Sequence, residues 1–257
     1  MSKPAHADRR TAVGHPAWTP RPWQDDPLFV CPLLALVLGL LITQGLDLDR
    51  YWADLLFRLE GDDWDLRYAW LTSRVLHEYG QRFSIAWGVG LLALTAVSSW
   101  SQRLRPYRRG LVCLCIAVIT SLLLVSLGKH MLALPCPWDL SRYGGDVAGA
   151  AVYALHPGEV GGCFPAGHAA GGYCLFALFF FARQYPLGRA IWWLAPGIVV
   201  GITYGLAQEL RGAHFLSHDI VSAGLCWFVS YAVFRIGFAC TGDQACSSKV
   251  RSVAREE

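Results

Sequence analysis

Two histidine-bearing strings, Pro165-Ala166-Gly167-His168 and Arg211-Gly212-Ala213-His214-Phe215-Leu216-Ser217-His218-Asp219, each lie where an apolar segment meets polar sequence. Lys129, Arg142 and His156 occupy similar boundaries. Cations beside imidazoles suit an anionic substrate whose reaction moves protons. Arginine offers a planar fork matched to phosphate oxygens, lysine a point charge, and histidine a nucleophile or proton donor near neutral pH. Phosphoryl transfer uses this set best.

The elements that position these groups follow from hydropathy. Of the 257 residues 54% are hydrophobic and only 16% charged, too apolar for an ordinary soluble domain of this size. A nearly uncharged run of about 18 residues crosses the roughly 30 Å hydrocarbon layer as a helix. Six such runs are predicted, at 28–46, 83–100, 111–128, 166–182, 190–207 and 219–238. They are continuous rather than alternating, which favours helices over a barrel. The expected fold is therefore an all-α polytopic membrane protein with six transmembrane helices.

Lys3, Arg9, Arg10 and Arg21 precede the first run. Arg103, Arg105, Arg108 and Arg109 follow the second, Arg183 and Arg189 the fourth, and Lys249, Arg251 and Arg255 the sixth. The positive-inside rule makes these segments and both termini cytoplasmic. The opposite face receives residues 47–82, 129–165 and 208–218, and with them every unusual polar residue. The net charge of +3 is then a topology signal; no aromatic-basic pattern suggests a nucleic-acid partner.

Proline-rich residues 1–27 read as a disordered cytoplasmic tail and residues 239–257 as a second tail, flanking a membrane domain over 28–238. The first run is expected to stay as an anchor instead of being cleaved as a signal peptide. Within the domain, 47–82 mixes aromatics with acids as interfacial amphipathic helices do, and 129–165 reads as an active-site loop. Cys136 and Cys163 alone among the nine cysteines lie in outer-face sequence. At the oxidising periplasmic face of a bacterial inner membrane they are expected to form a disulfide. The blander readings make His77, His130 and His156 amphipathic interface residues, Gly171 and Gly172 packing positions, and Asp139 a partner for Arg142.

The histidine strings resemble those of the type 2 phosphatidic acid phosphatase superfamily, integral membrane lipid phosphatases whose signature is K-x6-R-P, then P-S-G-H, then S-R-x5-H-x3-D. Lys129 and Pro137 match the first block, with Cys136 in place of its arginine; Pro165-Ala166-Gly167-His168 matches the second, with alanine for serine. In the third, Gly212-Ala213-His214-Phe215 matches around the nucleophile. Its arginine, Arg211, stands three residues ahead instead of six, and the acid place at i+4 holds His218, with Asp219 at i+5.

The resemblance implies that His214 attacks phosphorus to form a phosphohistidine, His168 protonates the leaving oxygen, and Asp219 orients His214, with His218 as a relay or substrate contact. Lys129, Arg211 and the amides near Gly167 would hold the phosphate, Arg142 standing in for the missing arginine. It implies no cofactor and no metal. The alternative chemical reading is a zinc or manganese site built from His168, His214, His218 and Asp219. The implied substrate is a phosphorylated membrane lipid: lipid A, undecaprenyl diphosphate, phosphatidylglycerol phosphate or phosphatidic acid. Lipid-to-lipid phosphotransfer, and a non-catalytic lipid-binding or transport protein, are the alternatives.

Overall fold

The computed structural model describes residues 21–147 and 162–253, by backbone alone beyond residue 239. The expected N-terminal tail up to residue 20, the middle of the 129–165 loop with His156, and residues 254–257 lie outside it. All regular structure among the described residues is helical; strand pairing is confined to one bridge between Leu140 and Val147.

Helix α1, Pro27–Leu40, starts on Asp26, whose carboxylate caps the Leu28 N–H at 3.0 Å, and ends in a π-helical turn over Leu41–Gly45. A short amphipathic helix α2, Leu48–Leu59, follows, burying Asp49, Ala53 and Leu56. The π-helical segment Trp70–Tyr79 leads into α3, Gly80–Val97. Helix α4 spans Arg108–Leu132. The next apolar run is α5, Gly167–Tyr173, and α6, Ala177–Ala182, joined by a 3₁₀ turn. Helix α7 covers Ala195–Glu209 behind a 3₁₀ turn over Ala190–Leu194. Helix α8 begins at Leu216 and continues to Val253, past the expected limit at 238.

Each apolar run of the sequence is thus a helical segment. Four are long and apolar enough to cross a membrane: Pro27–Gly45, Arg105–Asp139, Ala190–Glu209 and Leu216–Ala239. The run over Gly167–Ala182 is apolar but shorter, and α3 carries Gln81, Arg82 and Ser84 in its opening turns. Leu34, Leu38, Leu123, Val199 and Ile236 all point outward in the open, which is the face lipid chains cover in a membrane protein and water would not tolerate so densely.

Two apolar clusters form the interior. The larger joins α4, α5, α6 and α8 through Ala117, Ala170, Phe180, Cys226, Tyr231 and Phe234. The smaller stacks Ala53 and Leu56 of α2 against Trp64, Leu140, Tyr143 and Phe215, so the 47–82 segment is packed over the start of α8. At the other end of α8, Arg235 donates to Tyr231 and lies 3.5 Å from Asp26, which accepts from Tyr231 at 2.8 Å. The cap of α1 is thereby fixed to α8.

Helices α5 and α7 meet almost backbone to backbone. A Cβ on Gly172 would lie 2.3 Å from the Gly201 nitrogen, the close approach that small residues permit between membrane helices. Gly172→Ala is expected to destabilise the protein by about 1–3 kcal/mol through overpacking. Gly88→Ala, whose added methyl would meet nothing within 4 Å, is expected to be neutral or slightly stabilising. Denaturation midpoints in detergent check both.

Candidate active site

The last turn of α4 presents Lys129, and the helix stops four residues later where Ala133 takes a left-handed conformation. The chain then runs to Cys136, which is bonded to Cys163 across a Cα separation of 5.3 Å. The N–H groups of Gly162 and Cys163 both donate to the Leu134 carbonyl, at 3.0 and 3.1 Å. Two ends of the 129–165 loop are therefore held side by side, and their carbonyls face the site. That of Gly162 accepts from Lys129 Nζ at 2.9 Å, and that of Cys163 accepts from His218 Nδ1 at 3.1 Å.

Helix α5 starts immediately after Pro165-Ala166. A side chain at Gly167 would press on the Lys129 stem, its Cβ 3.0 Å from Cε, so the missing side chain lets the lysine pass the helix start. His168 follows, with Nε2 donating to the His77 carbonyl at 3.2 Å. The two rings are stacked 4.1 Å apart and 19° from parallel. A carbonyl only accepts, which puts the His168 proton on Nε2 and leaves Nδ1 as the atom able to exchange one.

His214 sits buried in the turn between α7 and α8, its ring 5.7 Å from that of His218. Nδ1 of His214 and Nε2 of His218 are both buried without a hydrogen-bond partner. Burial, and then the charges of Lys129, His218 and His168, hold the His214 imidazole well below its usual value. It is neutral at physiological pH, the form a nitrogen nucleophile requires.

Lys129, His168, His214 and His218 are thus one cluster. Arg211 lies beside it: Nε donates to the Arg67 carbonyl and a terminal nitrogen to Gln208 Oε1, each at 3.1 Å. Its charge reaches His77 and His168.

Arg142 and Asp219 are placed elsewhere. Arg142 forms a two-pronged pair with Asp54 of α2, which Tyr143 also contacts at 2.9 Å. This guanidinium holds Asp54 below the usual carboxylate range. Asp139 does not pair with Arg142; it accepts from the Cys136 N–H at 2.9 Å. Asp219 makes no hydrogen bond to His214. Each helical step turns a side chain by about 100°, so the residue after His218 faces α7, where a Cβ on Gly205 would collide with its carboxylate. Its neighbours there are Glu209, which accepts from Trp52 Nε1 at 2.9 Å, and Asp49.

His77, Arg67 and Gln208 belong to the site although the sequence marks them weakly. Gln208 donates to His77 Nδ1 at 3.3 Å, so a hydrogen-bonded chain runs Arg211, Gln208, His77, His168. The proposed metal-binding set does not converge: among the described residues the ligand atoms that do are those of Cys136, Asp139 and Cys163, and both sulfurs are spent in the disulfide.

A family model described as the PAP2 superfamily matches residues 110–241, just over half of the chain. The chain belongs to the PAP2 superfamily. Searches among curated proteins and among solved structures found no match. The PAP2 region runs from α4 into α8 and holds Lys129, His168, His214 and His218, whereas Arg67 and His77 come from outside it.

A cavity of about 520 Å³ opens onto this PAP2 site. Lys129, Gly167 and His168 line one end, while Val89, Leu92 and Leu122 of α3 and α4 line the rest. The polar groups of Lys129 and His168 are thus continuous with an apolar cavity between α3 and α4.

Burial, followed by the charges of His168 and Arg211, lowers His77 to about 4. In the unfolded chain it would bind a proton near its usual value of about 6.5. The unfolded state therefore gains protons first on acidification, and stability present above pH 6.5 is lost as pH falls toward 4. His77→Gln is expected to flatten that part of the profile, read as denaturation midpoint against pH.

Proposed function

We propose that this PAP2 protein is a lipid phosphate phosphatase with six membrane spans and cytoplasmic termini, its site facing the periplasm of a bacterial inner membrane. The distribution of lysine and arginine supports that orientation. The observation that carries the activity is a neutral, buried His214 clustered with His168 and Lys129, of which the last two line an apolar cavity. The cavity accepts a lipid chain while the cluster accepts its phosphate. Candidate substrates are lipid A, undecaprenyl diphosphate, phosphatidylglycerol phosphate and phosphatidic acid.

In the first step a ring nitrogen of His214 bonds to phosphorus, the bond to the lipid oxygen breaks, and His168, held as the imidazolium by the negative charge of the bound phosphate, gives that oxygen its Nδ1 proton while keeping the Nε2 proton on the His77 carbonyl. In the second, His168 takes a proton from water, whose oxygen bonds to phosphorus as the P–N bond breaks. The net reaction consumes one water and returns both histidines. Lys129, Arg211 and the backbone amides at Gly167 neutralise the phosphoryl oxygens, the contribution that usually dominates such catalysis. With cations of the chain in this role, the reaction is metal-independent.

His218 takes the orienting role. Its Nδ1 proton is committed to the Cys163 carbonyl, which leaves its unbonded Nε2 lone pair, like the unbonded Nδ1 of the neighbouring His214, for a bond that forms as His214 is phosphorylated. Accepting the His214 N–H at that stage would spread the charge that develops on the ring.

Phosphate release from the four lipid classes, measured for wild type and two variants, tests the reading. His168→Ala is expected to slow turnover of the preferred lipid by roughly 10²–10⁴-fold, and His214→Ala to abolish it and the acid-labile phosphoprotein. Phosphate appearing on an acceptor lipid instead of in solution would identify a phosphotransferase. No release from any class would sink the enzymatic reading.

A further inference from the structure

We propose that Arg67, with Arg211 shared between it and the reaction centre, forms a second anion subsite, which holds a further phosphoryl group carried by the same ligand beyond the scissile phosphate. The proposal rests on the phosphatase reading only for the identity of the reaction centre.

The two guanidinium-bearing residues are tied together by backbone, since Arg211 Nε donates to the Arg67 carbonyl at 3.1 Å. Holding two permanent positive charges in one half-buried place is unfavourable unless an anion joins them. No such anion comes from the described residues. Neither arginine forms an ion pair there, and Asp139, which feels the charge of Arg67, gives an oxygen to the Cys136 N–H.

The guanidinium of Arg67 lies over the Trp138 ring, 4.0 Å from its centroid. Its hydrogen-bond donors are unspent among the described residues. Stacking occupies the face of the guanidinium and leaves its edge, which carries the N–H groups, pointing away from the ring. Arg211 is oriented likewise by Gln208, with one terminal nitrogen used and the other open. Two forks held by neutral partners make a receptor for a phosphoryl group.

The location follows from which histidines feel which cation. Lys129 acts on His214, His218 and His168, while Arg211 acts on His168 and His77. His168, the proton donor to the leaving oxygen, is the histidine between them, so the second subsite lies on the leaving-group side. The leaving group itself then carries phosphate, either directly bonded as in a diphosphate or spaced along the headgroup. Arg67 lies outside the PAP2 match, so this subsite is an addition by the 47–82 segment to the family core.

The test uses the full chain in detergent and follows the thermal midpoint against inorganic phosphate, methylenediphosphonate and propane-1,3-diphosphonate. Ligands that bind the folded state raise the midpoint with the logarithm of one plus the ratio of ligand concentration to Kd, so the concentration at which the rise begins reports affinity. One of the two diphosphonates is expected to act at least about tenfold below phosphate, as added charge-assisted hydrogen bonds imply. The short one acting better indicates a diphosphate, the longer one a spaced second group.

Arg67→Ala is expected to erase the advantage of the diphosphonate over phosphate, while Arg67→Lys keeps part of it and Arg58→Ala, another cation of the same segment, keeps all. Diphosphonates no better than phosphate in the wild type, including no effect of any anion, overturn the proposal, as does an advantage that survives Arg67→Ala. Lipid phosphate release measured in parallel separates the two readings. A diphosphonate advantage without turnover leaves the subsite and removes the phosphatase; turnover without the advantage does the reverse.

Discussion

The peptide unit joining Gly162 and Cys163 is the constraint on which the site depends. The carbonyls of these two residues accept from Lys129 and from His218, so one short piece of backbone sets both the cation and the imidazole beside His214. A backbone carbonyl is a useful anchor because it has no rotamers, but it is only as rigid as the chain that carries it. Here that chain is held by the Leu134 carbonyl on one side and by the bond between Cys136 and Cys163. The cysteine that replaces the family arginine in the first block thus contributes through geometry where an arginine would contribute charge.

Much of the molecule was legible in its sequence because hydropathy is a sum over many residues and survives local error. The helix expected at 111–128 is found at Arg108–Leu132, and that expected at 190–207 lies within Ala190–Glu209. Lys129, His168 and His214, each in a block with its own turn chemistry, are found in one cluster. What failed to read out depended on phase or on distant contacts. His218 and Asp219 are adjacent in sequence but about 100° apart on a helix, which places one at His214 and the other at Glu209. Arg142 finds Asp54 from a helix far back in the chain.

His77 and Arg67 illustrate the same limit from the other direction. Nothing local distinguishes a histidine in an amphipathic segment that stacks on His168 from one that faces lipid headgroups. Their role appears only when α2 and the segment after it fold over the start of α8, where Trp64, Tyr143 and Phe215 lock them down. The 47–82 segment packs over the start of α8, and it also brings the polar groups of Arg67 and His77 beside Arg211 and His168.

The cavity that joins Lys129 and His168 to α3 and α4 has walls whose outer faces stand open: Val89 is 60% exposed and Leu92 50%. On the membrane-spanning reading proposed above, a lipid reaching His168 by this route need never leave the bilayer. The concentration that governs encounter is then the mole fraction of lipid in the surface, not the amount per volume of solution. Diluting the substrate with inert lipid or detergent slows such a protein, whereas diluting the whole suspension with buffer does not.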